Sequence, residues 1–248
     1  LAAFGSWGGG GFDVSTDESN LTDRGDDSSS GFGAKIGWQG KVAPDIALGA
    51  SYQTKMSMSE FDKYKGLFAE QGDFDIPATL IVGAAWDIDD KRKVVLDVQQ
   101  IYYSDVASVG NPLLPNLGIC GATSNTNPNC LGGSNGAGFG YDDMTVIKLG
   151  YQWMMDQMTM RVGISYGENP IDSSEVLFNI LAPAVIETHL TFGMTMPMAN
   201  NAEFSFAAMY APENTVSGVN MYDDMGAGQQ IELAMDQFEI QGTYTMKF

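Results

Sequence analysis

MTVIKLGYQWMMDQMTMRVGISY, residues 144–166, decides the fold. Mostly apolar side chains fall on every second position: Thr145, Ile147, Leu149, Tyr151 and Trp153. Met155-Asp156-Gln157 interrupts the pattern, which resumes with Met158, Met160, Val162, Ile164 and Tyr166. Lys148, Gly150, Gln152, Thr159, Arg161, Gly163 and Ser165 occupy the positions between. A period of two gives a β-strand with one apolar and one polar face. Two such strands joined by a short polar turn form a hairpin. Its aromatic residues sit toward the strand ends, as they do where a membrane meets water. A soluble β-sandwich would also alternate, so the hairpin needs the rest of the chain to decide its surroundings.

The chain has 248 residues, 44% of them hydrophobic. No uninterrupted apolar run approaches the ~18–20 residues that a membrane helix needs. If these residues span a membrane they do so as a closed β-barrel, because only helices and barrels satisfy the backbone in lipid. The formal net charge of −19 argues against a nucleic-acid partner, whose phosphates would repel it. Asp13, Asp17, Glu18, Asp23, Asp26 and Asp27 are opposed only by Arg24, which reads as a solvated loop before it reads as a cation site. Cys120 and Cys130 lie in a stretch rich in Asn, Pro, Gly and Ser. That spacing fits a local disulfide in an oxidising compartment and, with no histidine nearby, makes a poor metal site.

Nine stretches alternate. They are residues 31–39, 46–55, 76–86, 93–104, the two halves of the opening hairpin, 187–196, 202–210 and 230–248. Between them, residues 40–45, 87–92, 155–157 and 197–201 are short. Residues 56–75, 105–143, 167–186 and 211–229 are long. Within the first long loop, Phe61, Tyr64, Leu67 and Phe68 have helical spacing, which predicts a short amphipathic helix over 56–72. A helical piece is expected over 173–181. Short turns on one rim and long loops on the other are the signature of an outer-membrane barrel. The predicted class is therefore all-β, a transmembrane antiparallel β-barrel. Nine strands are odd, whereas single-chain bacterial barrels normally have an even number. Residues 1–248 are accordingly expected to be part of a longer barrel.

FDIPATLIVGAAW (74–86), VVLDVQQIYYSD (94–105), IKLGYQW (147–153), MRVGISYGENPI (160–171) and the closing GTYTMKF (242–248) together resemble the FadL/TodX family of outer-membrane transporters for hydrophobic compounds. The resemblance implies a fourteen-stranded barrel with an N-terminal hatch, of which this chain would supply the last nine strands. The hatch and first five strands would then lie outside it. It implies passive transport with no cofactor, a hydrophobic small molecule as partner and outer-membrane lipid around the wall. The terminal Phe248 resembles the assembly signal of such barrels. Nothing in the sequence specifies an oligomeric state.

Two sets of residues follow. The resemblance assigns ligand capture to two outer loops, where Phe4, Trp7, Phe61, Tyr64, Leu67 and Phe68 would line a greasy groove. The same residues could equally pack the loops together. The inward polar positions, Lys148, Arg161, Glu187 and His189 with Glu203, Glu239 and Lys247, would face the lumen, where opposite charges can pair across strands. Fatty-acid transporters of the family place a basic residue just before the strand that matches residues 144–154. Residues 131–146 hold no Lys or Arg, so the sequence favours a neutral hydrocarbon or aromatic ligand over a carboxylate. His189, the only histidine, has no nucleophile or metal partner in sequence, and no enzyme is expected. A structural or surface-recognition barrel without transport is the alternative.

Overall fold

The computed structural model describes residues 14–121, 126–220 and 228–246. It is built on one nine-stranded antiparallel sheet whose strands follow each other in chain order. We number them β1 (Lys35–Ala43), β2 (Ile46–Gln53), β3 (Thr79–Asp89), β4 (Arg92–Ile101), β5 (Met144–Met155), β6 (Met158–Gly167), β7 (Thr188–Met198), β8 (Ala202–Val219) and β9 (Gln230–Met246). Each pairs only with its sequence neighbours, and β1 and β9 are the two edges. Among the described residues no helix is long and apolar enough to cross a membrane.

The register puts the alternation to use. Ile46 opposes Trp86, which opposes Val94, which opposes Tyr151, which opposes Val162, which opposes Phe192. One face therefore carries an unbroken apolar band, and Trp38, Trp86, Ile147, Leu149, Ile164, Leu190 and Ile240 are all exposed on it. Large apolar side chains standing in rows on an exposed sheet face are what lipid contact requires. Toward the short-turn end of β5–β7 the band becomes methionine-rich: Met155 opposes Met158, and Met160 opposes Met194.

The loop sorting is as expected. Pro44-Asp45, Asp90-Lys91, Asp156-Gln157 and Ala199-Asn200-Asn201 make the short turns. Asp156, Asn200 and Asn201 are left-handed there (φ 55°, 61° and 57°), a conformation that Asp and Asn adopt more readily than most side chains. All four turns lie on one rim, and the loops holding Phe61 and Cys120 lie on the other.

Three elements differ from the sequence expectation. The helix expected over 56–72 is instead a two-residue strand, Ser57–Met58, a 3-10 turn, Asp62–Tyr64, and one short turn, Ala69–Gly72. Successive tight turns reproduce helical spacing without a helix. A Cβ on Gly66 would lie 1.9 Å from the Asp17 carbonyl oxygen, so a neighbouring segment passes where a helical side chain would stand. Ser57–Met58 pairs with Gly31–Phe32, so the first alternating stretch splits into this small ribbon and β1. Residues 173–181 form turns and a 3-10 turn, Phe178–Ile180, not an α-helix. Finally, β8 continues to Val219 through a bulge between Ala211 and Asn214, so the first part of the last long loop is a ribbon rising above the rim with β9. Pro212 has no N–H to donate and sits in that bulge, where the ladder is already interrupted.

The buried core is not in the sheet. Leu21, Leu67, Val106, Val109, Leu113, Leu117, Leu131, Phe139, Tyr141, Ile171, Val176, Phe178, Val185 and Leu233 form one cluster, nearly all of it from the long loops. The molecule is thus a two-faced wall with a separately packed cap on one rim. Arginine at an outward position near the bilayer midplane costs a transmembrane barrel about 2–4 kcal/mol. Leu149→Arg should therefore lower the free energy of unfolding in urea by that amount, whereas inward Val146→Arg should leave it nearly unchanged.

Candidate functional site: the lumen face and the aromatic cap

The inward face of the sheet forms a concavity of about 760 Å³. Lys148, Arg161, Glu187 and His189 all line it, as the alternation predicted. The register orders them. Asp97 opposes Lys148, Lys148 opposes Ser165 and Ser165 opposes His189, one continuous row across four strands. Arg161 sits nearer the short turns, opposite Gln152 and Gly193.

Among the described residues, Lys148 and Arg161 bond to neutral side chains. Lys148 Nζ donates to Gln99 Oε1 at 2.7 Å, and Arg161 donates to Gln152 Oε1 and Thr195 Oγ1, both at 2.9 Å. Among the described residues neither cation has a carboxylate within ion-pair distance. Asp97 faces Lys148 across the ladder, but its carboxylate leans over Gly83, where a Cβ would lie 1.9 Å from its Oδ1. The Asn169 N–H donates to Glu187 at 3.3 Å, and His189 Nδ1 lies 3.5 Å from the Ser165 hydroxyl. Amides and hydroxyls therefore hold these two cations, and among the described residues neither Lys148 nor Arg161 is in an ion pair.

The lumen face of β1–β3 is different in kind. Gly37, Ala47, Gly49, Ser51, Gly83 and Ala85 line a second concave stretch. Gln39 and Ile81 are the larger side chains beside them.

Above the concavity lies the cap. Of the six residues expected to capture ligand, Phe4 and Trp7 lie outside the described residues. The other four come together. Phe61 and Tyr64 each meet Phe68, with ring centroids 5.9 and 6.4 Å apart. Leu67 is buried in the cap core, while Phe61, Tyr64 and Phe68 are half-buried. The row continues through residues that sequence reasoning missed. Phe68 meets Phe74 edge-on at 5.0 Å, Phe74 meets Phe139 at 6.2 Å, and Phe139 stacks on Phe178 at 5.1 Å. Three separate loops supply these rings, so no sequence spacing links them.

Polar groups lock the cap. Cys120 and Cys130 are disulfide-bonded, with Cα atoms 4.8 Å apart. Glu175 is buried and accepts the Leu113 N–H at 2.7 Å, and burial pushes its carboxyl above the usual range. Tyr141 donates to the Ala182 carbonyl at 2.6 Å, and burial pushes its hydroxyl up to about 12.

No protein-family model and no curated protein matches the chain. Solved structures do. The toluene transporter TodX of P. putida superposes with a TM-score of 0.55 at 18% identity, over 89% of this chain and 50% of TodX. A FadL homologue of Pseudomonas aeruginosa gives 0.52 at 14% identity, over 86% and 50%. The chain has the fold of these barrels. It spans about half the length of the structures it matches, and its nine strands form an arc of transmembrane β-barrel wall with the cap attached.

The aromatic row should matter to the cap and not to the wall. Truncating a buried Phe typically costs about 3–5 kcal/mol. Phe178→Ala, at 2% exposure, should speed hydrogen exchange across residues 105–143 and 167–187 while leaving the strand amides protected.

Proposed function

We propose that the chain is the wall and mouth of a passive outer-membrane pore for hydrophobic small molecules, a class that includes hydrocarbons, aromatics and long-chain fatty acids. One observation carries the reading. An apolar band, a concave lumen and a mouth fringed with half-buried rings occur together in one arc. The FadL/TodX-like fold supports it, and TodX is described as a toluene transporter. In this reading the chain is the C-terminal part of a longer barrel, and the hatch and remaining strands belong to the complete protein. Ligand would collect on the rings of the cap, enter the lumen and leave past the hatch or through the wall, with no cofactor and no chemical step.

Phe61, Tyr64 and Phe68 would be the contact residues, with Leu67 supporting them from the core. A large apolar side chain buried against ligand contributes roughly 1.5–3 kcal/mol. Phe61→Ala should therefore weaken capture about tenfold or more, with heat-modifiable gel migration of the complete protein unchanged. Normal uptake of a labelled hydrophobic substrate by this variant would remove Phe61 from the site and favour a recognition role for the loops.

Lys148 and Arg161, which bond to neutral side chains among the described residues, favour a ligand with a polar or acidic end over a plain hydrocarbon, against the sequence expectation. Uptake of a carboxylate-ended chain should then fall in Lys148→Met, while uptake of a neutral alkane of the same length should not. Equal effects on both would return the reading to a neutral ligand.

A further inference from the structure

The first cap loop ends in Glu70-Gln71-Gly72-Asp73-Phe74-Asp75. Glu70 and Gln71 are both left-handed (φ 54° and 63°), and Gly72 follows at φ 100°. Side chains other than Gly, Asn and Asp resist this region, and residues held there persist only when their surroundings over-determine them.

Several contacts hold the turn. The Ser108 hydroxyl donates to the Asp73 carbonyl, and the Phe61 N–H donates to the Gly72 carbonyl at 2.8 Å. The Glu70 and Gln71 N–H groups donate to the carbonyls of Gly133 and Gly132, both at 2.9 Å, just after the disulfide. On the other side, Asp75 takes the Lys55 ammonium at 2.8 Å and the Met58 N–H at 2.7 Å, with its side chain 6% exposed. Lys55 follows β2 closely, so Asp75 ties the loop to the barrel rim.

Asp73 stands between these anchors. Its carboxyl meets that of Asp75, Glu70 adds a second negative charge, and Lys55 is the cation facing the set. One Asp73 oxygen is buried with no hydrogen-bond partner. A half-buried carboxylate beside another carboxylate, with one oxygen sealed from water and one ammonium already committed to its neighbour, is poorly placed to ionise. We propose that Asp73 is a proton-operated latch: protonated, it bridges to Asp75 and keeps the left-handed turn closed on the rim; ionised, it repels Asp75 and Glu70 and lets the turn relax.

Burial, with the neighbouring Asp75, pushes Asp73 up to about 6. Burial also opposes ionisation of Asp75, but the Lys55 pair and the Met58 N–H outweigh it and hold that carboxyl below its usual value. The sign follows. An aspartate with its ordinary pKa in the open loop and a raised one in the closed loop binds its proton more tightly when closed. Acid therefore closes the latch. The closed form loses its advantage as pH rises from the ordinary aspartate range through about 6.

Both cysteines of this chain are in the disulfide, so once any free cysteine elsewhere in the complete protein is replaced by serine, one introduced thiol can carry a spin label. Glu60 is exposed, and the next residue, Phe61, bonds to the Gly72 carbonyl, which makes Glu60→Cys a reporter of the turn. In the complete protein in detergent, the label should be immobilised at pH 4 and mobile at pH 7.5, with a midpoint between the ordinary aspartate range and about 6. Adding Asp73→Asn, which cannot ionise, should keep it immobilised at both. Label mobility that is flat across this range, or a step that survives Asp73→Asn in protein migrating normally on heat-modifiable gels, would overturn the latch. The readout is motion of the loop, so the latch can fail or stand whether or not the pore carries hydrophobic molecules.

Discussion

A backbone in lipid has no water to bond to, so every N–H and carbonyl in the wall must find its partner in the next strand. The rest of the molecule depends on that constraint. It forbids a loop inside the band, which is why connections are either two- or three-residue turns or long excursions beyond the rim. It also fixes register. A slip of one residue would turn Leu149 and Ile164 into the lumen and Lys148 and Ser165 into lipid. The sheet needs no buried apolar core because lipid covers one face and the lumen the other.

The long loops obey a different rule. They stand beyond the bilayer, where an apolar side chain gains by hiding from water. They accordingly build a cluster of buried aromatic and aliphatic residues, with a disulfide across it and polar side chains serving as staples. The same acidic chemistry behaves differently in the two places. Asp97 in the lumen leans over a glycine and leaves its opposing lysine to an amide. Asp75 in the cap is sealed against a lysine and a backbone N–H.

Sequence alone gave access to whatever repeats with period two. The nine-stranded sheet, the four turns and the sorting of loops follow from alternation, and the structure bears them out apart from the split first stretch and the lengthened eighth strand. What alternation could not reach was decided by contacts distant in sequence. Phe61, Tyr64, Leu67 and Phe68 do gather, but through consecutive tight turns, and Phe139 and Phe178 join them from loops far along the chain. Nor could alternation say that Asp97 leans over Gly83 and that Lys148, opposite it, bonds to the Gln99 amide instead. The rise of β8 beyond Ala211 was hidden by a bulge that shifts the phase of alternation at Pro212.

The direction of the two outermost strands has a consequence for what can lie beside them. β1 and β9 both run from the capped rim toward the short turns. Every seam inside the sheet is antiparallel. A strand that continued the same ladder at either side would therefore run the opposite way, from the short-turn rim up to the cap.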